Sequence, residues 1–134
     1  MAGVPLLEGG CACGEVRYRL TAPPMFVHCC HCTSCQTESG GAFIINALIE
    51  ADHVETLQGK AEPVMTPSDS DAIRFVRVGT LDTPGALPPD IHIYTRSKLP
   101  WVRLPVGVPA AEGYYDVPSM WPAESLARRK AALE

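Results

Sequence analysis

Apolar and polar residues alternate from Val16 to Leu20, where Arg17 and Arg19 separate Val16, Tyr18 and Leu20. A period of two sends successive side chains to opposite faces, so this stretch predicts a half-buried strand. The segment before it, Gly9-Gly10-Cys11-Ala12-Cys13-Gly14, reads as a glycine-flanked turn, and Pro23-Pro24 ends the strand. Phe26-Val27-His28 predicts a second short extended piece. Thr33 to Ser39 predicts a single helical turn stopped by Gly40-Gly41. Ala42 to Ile49 is almost continuously apolar and too short for an ordinary helix, which predicts a buried strand. Val54 and Leu57 lead to a turn at Gly59.

Ile73 to Val78 and Ile91 to Thr95 are rich in β-branched and aromatic residues and predict two more strands. Asp82-Thr83-Pro84-Gly85 and Pro88-Pro89-Asp90 supply turn chemistry between them. Only the end of the chain has helical character: Ser119 is a candidate cap, Pro122 suits a first turn, and Ala123 to Leu133 is full of helix formers. The pattern predicts a mainly β fold of short strands with a C-terminal helix. With 13 prolines among 134 residues, rigid turns rather than long elements are expected.

The length fits one domain, expected to span residues 1–134, with a core from about 8 to 105 and an extension over 106–134 that carries the helix. A formal net charge of -4 argues against a nucleic-acid partner. The basic run Arg128-Arg129-Lys130 reads as a solvated helix end that suits the helix dipole. No apolar run approaches the ~20 residues that span a bilayer, and the first residues do not have the basic and apolar regions of a signal peptide. These features give the expectation of a cytoplasmic protein with no membrane partner.

That setting changes the reading of the six cysteines, because cytosolic thiols stay reduced and clustered ones tend to bind metal. All six lie between Cys11 and Cys35, as Cys11-Ala12-Cys13 and as Cys29-Cys30-His31-Cys32-Thr33-Ser34-Cys35. The C-x-x-C spacing of Cys32 and Cys35 lets a tight turn offer two sulfurs to one ion, and Cys30 adds a third from the preceding strand. Three protein ligands and an open position is the arrangement of a catalytic zinc site. A redox dithiol at Cys32 and Cys35 is the rival reading and predicts a disulfide. Cys29 should point away from Cys30 and is read as packing. His28 and His31 could each ligate metal, but the favoured reading of both is a satisfied polar neighbour or a group supporting the ligands. Trp101 is read as core.

Three blocks, Gly9 to Tyr18, Cys30-His31-Cys32-Thr33-Ser34-Cys35-Gln36 and Ser39-Gly40-Gly41-Ala42-Phe43, resemble the glutathione-dependent formaldehyde-activating enzyme family, which includes centromere protein V. Gly79 to Asp82, Ile91 to Thr95 and Lys98-Leu99-Pro100-Trp101-Val102 resemble later blocks of that family. The resemblance implies a Mss4-like, β-tent fold of short antiparallel strands. It implies a catalytic zinc on Cys30, Cys32 and Cys35, half of a structural zinc site at Cys11 and Cys13, and a carbon–sulfur lyase acting on a glutathione adduct, as in S-(hydroxymethyl)glutathione synthase.

The other half of the structural site is a later C-x-x-C in the family, and no cysteine follows Cys35 here. The expected place for that segment is the junction of Thr66–Asp71 with Ala72 to Phe75. Three outcomes are open: Cys29 or a histidine completes the site, a second chain supplies ligands, or Cys11 and Cys13 stay free thiols; the last is favoured, with at most one tightly held zinc per chain expected. The small-molecule partner is a thiol such as glutathione or its adduct, and a homo-oligomer is compatible with the sequence. Arg74, Arg77, Arg96, Lys98 and Arg103 are candidates for its carboxylates, though each also reads as solvated surface. His31 and His92 are candidate proton carriers. The other function class is a zinc-stabilised binding or scaffold module without chemistry.

Overall fold

The computed structural model describes residues 7–62 and 71–134. The junction at Thr66–Asp71, where the missing C-x-x-C was expected, lies largely outside the described residues. Among the described residues, seven strands and three α-helices follow one another: β1 Leu7–Gly10, β2 Arg17–Leu20, β3 Phe26–Cys30, α1 Thr33–Ser39, β4 Ile44–Glu50, β5 Val54–Gln58, β6 Ile73–Arg77, β7 Ile91–Ile93, α2 Val117–Met120 and α3 Ala123–Leu133. The strands form a three-stranded sheet in the order β1-β2-β5 and a four-stranded sheet in the order β6-β4-β3-β7. The fold is mainly β with a C-terminal helix, consistent with the Mss4-like class. The named strands pair antiparallel except β3 with β7, which run parallel with Cys29 opposite His92 and Cys30 opposite Ile93.

The four-stranded sheet is covered on both faces, which explains the unbroken apolar run of β4. On one face, Leu20 of β2 packs with Val27, Ala47, Ile49, Val78 and Leu81 between the sheets. On the other, Phe26, Cys30, Ile44, Leu48, Ile91 and Ile93 pack under Trp121, with Tyr115 and Leu126 against them. The indole of Trp121 stacks on Phe26 at 5.6 Å between centroids and donates Nε1–H to the Tyr115 hydroxyl at 2.7 Å. The Ser125 hydroxyl donates to the Met25 carbonyl at 2.7 Å, tying α3 to the start of β3.

Several expectations need correction. Gly9 and Gly10 lie within β1, not in a turn; the turn begins after them, and Gly9 pairs with Tyr18. A Cβ on Gly9 would sit 2.4 Å from the Thr80 carbonyl oxygen and 2.6 Å from the Tyr18 hydroxyl, so close packing requires glycine here. Val54 to Gln58 is a full strand, hidden from the pattern because most of it is exposed. Ser119 does not cap the last helix. It belongs to the short α2, whose cap is Asp116, with the Asp116 carboxylate accepting from the Ser119 N–H at 3.2 Å; Pro122 stands at the N-cap of α3. Arg128 is not a solvated charge: its guanidinium forks onto both Glu50 oxygens at 2.6 and 2.9 Å. Arg129 lies over the Trp121 ring. Trp101 is 69 % exposed on a turn and is not core.

Candidate metal centre

Cys30 ends β3, Cys32 caps α1 and Cys35 lies on that helix's buried side. Their three sulfurs fall within 4.8 Å of one another, so the fold brings together the trio that the spacing predicts. The local cause is the cap. Cys32 is extended, its sulfur accepts the Cys35 N–H at 3.3 Å, and its carbonyl accepts the Gln36 N–H at 3.0 Å. At the other end of α1, Gly40 adopts φ 66°, a left-handed position that glycine fills at little cost, and it returns its N–H to Gln36. The Gln36 side chain closes the knuckle from outside, donating to the carbonyls of His31 and Ser97, both at 2.9 Å. His31 N–H in turn donates to the Ile93 carbonyl at 3.0 Å.

The three thiols differ electrostatically. Burial raises Cys30 and, with the neighbouring Cys30 and Cys32 groups adding to it, raises Cys35. Burial also opposes the Cys32 thiolate, but the Cys35 N–H together with the Cys35 and Cys30 thiols outweighs it, and Cys32 is lowered. Three sulfurs converging at a half-buried edge of the apolar core are a donor set suited to zinc. None of the six cysteines is in a disulfide, so the Cys32–Cys35 bridge of the redox reading is not formed.

Cys11 and Cys13 lie apart from this knuckle, exposed on the turn after β1, with their sulfurs 3.1 Å from each other. The Val16 N–H donates to the Cys11 sulfur at 3.2 Å, and this bond with the Cys13 thiol brings Cys11 down to about 7. Among the described residues, no third Cys, His or acidic ligand joins them.

His28 is a satisfied core histidine. It meets the Tyr115 hydroxyl, which already accepts from Trp121 and so has its own proton to donate; burial lowers His28 to about 4 and keeps it neutral. His31 is only partly satisfied. Its Nε2 faces His92 Nδ1 at 3.0 Å and the Cys29 sulfur at 3.5 Å, while its buried Nδ1 has no partner among the described residues. Cys29, His31 and His92 thus form a second convergent trio, all buried. In the sequence, Cys29 reads as packing and His31 and His92 as candidate proton carriers, with nothing to join the three.

Most of the candidate cations already have neighbours. Arg77 pairs with Glu38 of α1 at 3.3 Å, and Arg74 donates to the Asp71 carbonyl at 2.5 Å. Lys98 donates to the Val102 carbonyl at 2.8 Å, and Arg96 lies over the Tyr94 ring. A surface depression lined by Glu50, Asp52, His53 and Arg128 contains no cysteine. Among the described residues, no helix is long and apolar enough to cross a membrane.

A family model described as glutathione-dependent formaldehyde-activating enzyme matches residues 6–72, the stretch holding both cysteine groups. A protein of Halomonas elongata, provisionally named as such an enzyme, is 34 % identical over 74 residues, covering 48 % of this chain and 47 % of the relative. The match spans about half the length of that relative.

Proposed function

The chain belongs to the glutathione-dependent formaldehyde-activating enzyme family, and from that premise we propose that it is a zinc-dependent carbon–sulfur lyase acting on an adduct of glutathione or a related small thiol, with residues 1–134 forming one such domain. The observation that carries this reading is the convergence of the Cys30, Cys32 and Cys35 sulfurs at the mouth of α1. Zinc bound there would supply a charged anchor that holds a guest sulfur as thiolate while its bond to carbon forms or breaks.

The chain's own residues do the rest. Cys30, Cys32 and Cys35 supply the ligands, and of the three only Cys32 is lowered from the ordinary thiol value. Gln36 fixes the loop between Cys30 and Cys32 by holding the His31 carbonyl. The apolar side chains of Ile44, Ile93 and Tyr94 back the trio, which keeps water from one side and strengthens electrostatic contacts. Among the described residues no fourth protein donor joins the trio, which supports a site completed by the guest thiol rather than a closed structural centre. A zinc closed by a fourth protein ligand such as Cys11, Cys13 or Cys29 would have favoured the scaffold reading; among the described residues none joins the trio.

The test is Cys32→Ala in the full chain, measured by metal emission and by the rate of S-(hydroxymethyl)glutathione formation above the spontaneous reaction. The expected result is loss of about one zinc per chain, the fewest this site can hold, together with loss of that rate. Unchanged metal content would overturn the ligand assignment. A wild-type protein that holds zinc yet leaves the rate at the spontaneous level would overturn the lyase in favour of the scaffold.

A further inference from the structure

The trio of Cys29, His31 and His92 lies on the face of β3 opposite Cys30. Strand alternation puts Cys29 with Val27 on the inter-sheet side, and the parallel register sets His92 of β7 directly beside it. We propose that Cys29 Sγ, His31 Nε2 and His92 Nδ1 form a second metal site, for an ion of the zinc class, separate from the Cys30 trio.

Three observations carry this. The first is spacing. A tetrahedral zinc with its usual bond lengths sets two nitrogens about 3.4 Å apart and a nitrogen and a sulfur about 3.6 Å apart. The nitrogens of His31 and His92 are 3.0 Å apart, and Cys29 Sγ is 3.5 Å from His31 Nε2.

The second is hydrogen-bond accounting. His31 Nε2 is addressed by both Cys29 and His92 while His31 Nδ1, fully buried, has no partner among the described residues. If Nε2 carries the proton, it can donate to His92 but has no lone pair for the Cys29 thiol. If Nε2 is bare, one lone pair serves two donors and Nδ1–H is left unbonded. An ion between the three atoms takes one lone pair from each and ends the competition at Nε2, with the His31 proton then carried on Nδ1.

The third is burial. Two imidazoles and a thiol within 4.8 Å, each nine-tenths or more buried, are an unusual amount of polar chemistry to place in a β core without a ligand. On binding, the Cys29 S–H bond breaks, sulfur becomes the donor as thiolate, and the proton leaves to solvent. Two imidazole nitrogens and one thiolate suit zinc better than the hard oxygen-seeking cations. The site would rivet β7 to β3, and with it the strand end that presents Cys30. It would also raise the count of zinc per chain from one to two without recruiting Cys11 or Cys13. This inference is independent of the glutathione reading.

The experiment is a cadmium-113 titration of the full chain, with the histidines labelled with nitrogen-15. The expected result is two bound equivalents and two cadmium resonances, one of them scalar-coupled to His31 Nε2 and His92 Nδ1. Cys32→Ala should remove the uncoupled resonance and spare the coupled one; His92→Asn should do the reverse. A wild-type chain in which no cadmium couples to either histidine overturns the proposal, whether or not any variant folds. So does His92→Asn that keeps both resonances. Failure of the Cys30 trio would instead show as loss of the uncoupled resonance alone.

Discussion

Gln36 reaches back five residues to hold the carbonyl of His31 at 2.9 Å, and the same amide holds the carbonyl of Ser97. One side chain of α1 thus positions the loop between Cys30 and Cys32, two of the proposed ligands, and anchors it to the segment after β7. Gln36→Ala should leave every proposed ligand in place yet loosen their geometry. Loss of such an outer partner typically weakens metal binding about 10-fold or more. Competition with a chromophoric chelator reads this directly, and unchanged affinity would show that the cap of α1 suffices.

The Glu50–Arg128 fork predicts an acid-sensitive joint between β4 and α3. The Arg128 guanidinium holds the Glu50 carboxyl below its ordinary value of 4.5, outweighing burial. A carboxylate lowered on folding contributes stability above its unfolded value, and this is lost as the pH falls through the lower folded value. Arg128→Met should cost about 2 kcal/mol at pH 7, as for a hydrogen-bonded charge partner. The gap between variant and wild type, followed by thermal unfolding, should close as the pH drops below about 4.5. A gap that does not change with pH would place the effect in packing of the Arg128 stem.

Thiol labelling should divide the cysteines by position. Cys11 and Cys13 are exposed, whereas Cys29, Cys30 and Cys35 are buried. A brief pulse of alkylating reagent on native protein should therefore mark Cys11 and Cys13 first, since reactivity follows exposure and thiolate character. Peptide mass spectrometry checks this. Cys29 labelled as fast as Cys11 would mean that the inter-sheet layer opens readily.

Gly9→Ala tests the contact between β1 and the segment at Thr80. The new Cβ would meet a backbone oxygen at 2.4 Å, which a side-chain rotation cannot relieve. Strain of this kind costs about 1–3 kcal/mol. Gly40→Ala is a useful contrast: nothing lies within 4 Å of its added Cβ, so only the left-handed backbone resists, at about 1–2 kcal/mol. Equal behaviour of the two in chemical denaturation would contradict the steric account of Gly9.

Local features were readable and long-range ones were not. The Cys30, Cys32 and Cys35 trio follows from spacing alone, because a strand end and one helical turn fix all three atoms. Ala42 to Ile49 was readable as a buried strand because both faces of β4 are covered. Val54 to Gln58 was not, since an exposed strand has no apolar alternation to show. Gly9 and Gly10 mimic a turn because glycine signals both turning and close approach. His92 could not be joined to Cys29 from the chain, since their meeting depends on a parallel pairing that no local period encodes. Trp101 was misplaced because size and apolarity favour burial on average, while its position on a turn leaves it exposed.

The parallel pairing of β3 with β7 separates the two trios in folding time. Cys30, Cys32 and Cys35 are neighbours in sequence and can meet in a chain that is otherwise unfolded. His31 and His92 are 61 positions apart, and closing so long a loop costs about 2 kcal/mol more in chain entropy than closing the five-residue span. A cation captured early by the knuckle would pre-form the end of β3 and give the late-arriving β7 a template on which to dock.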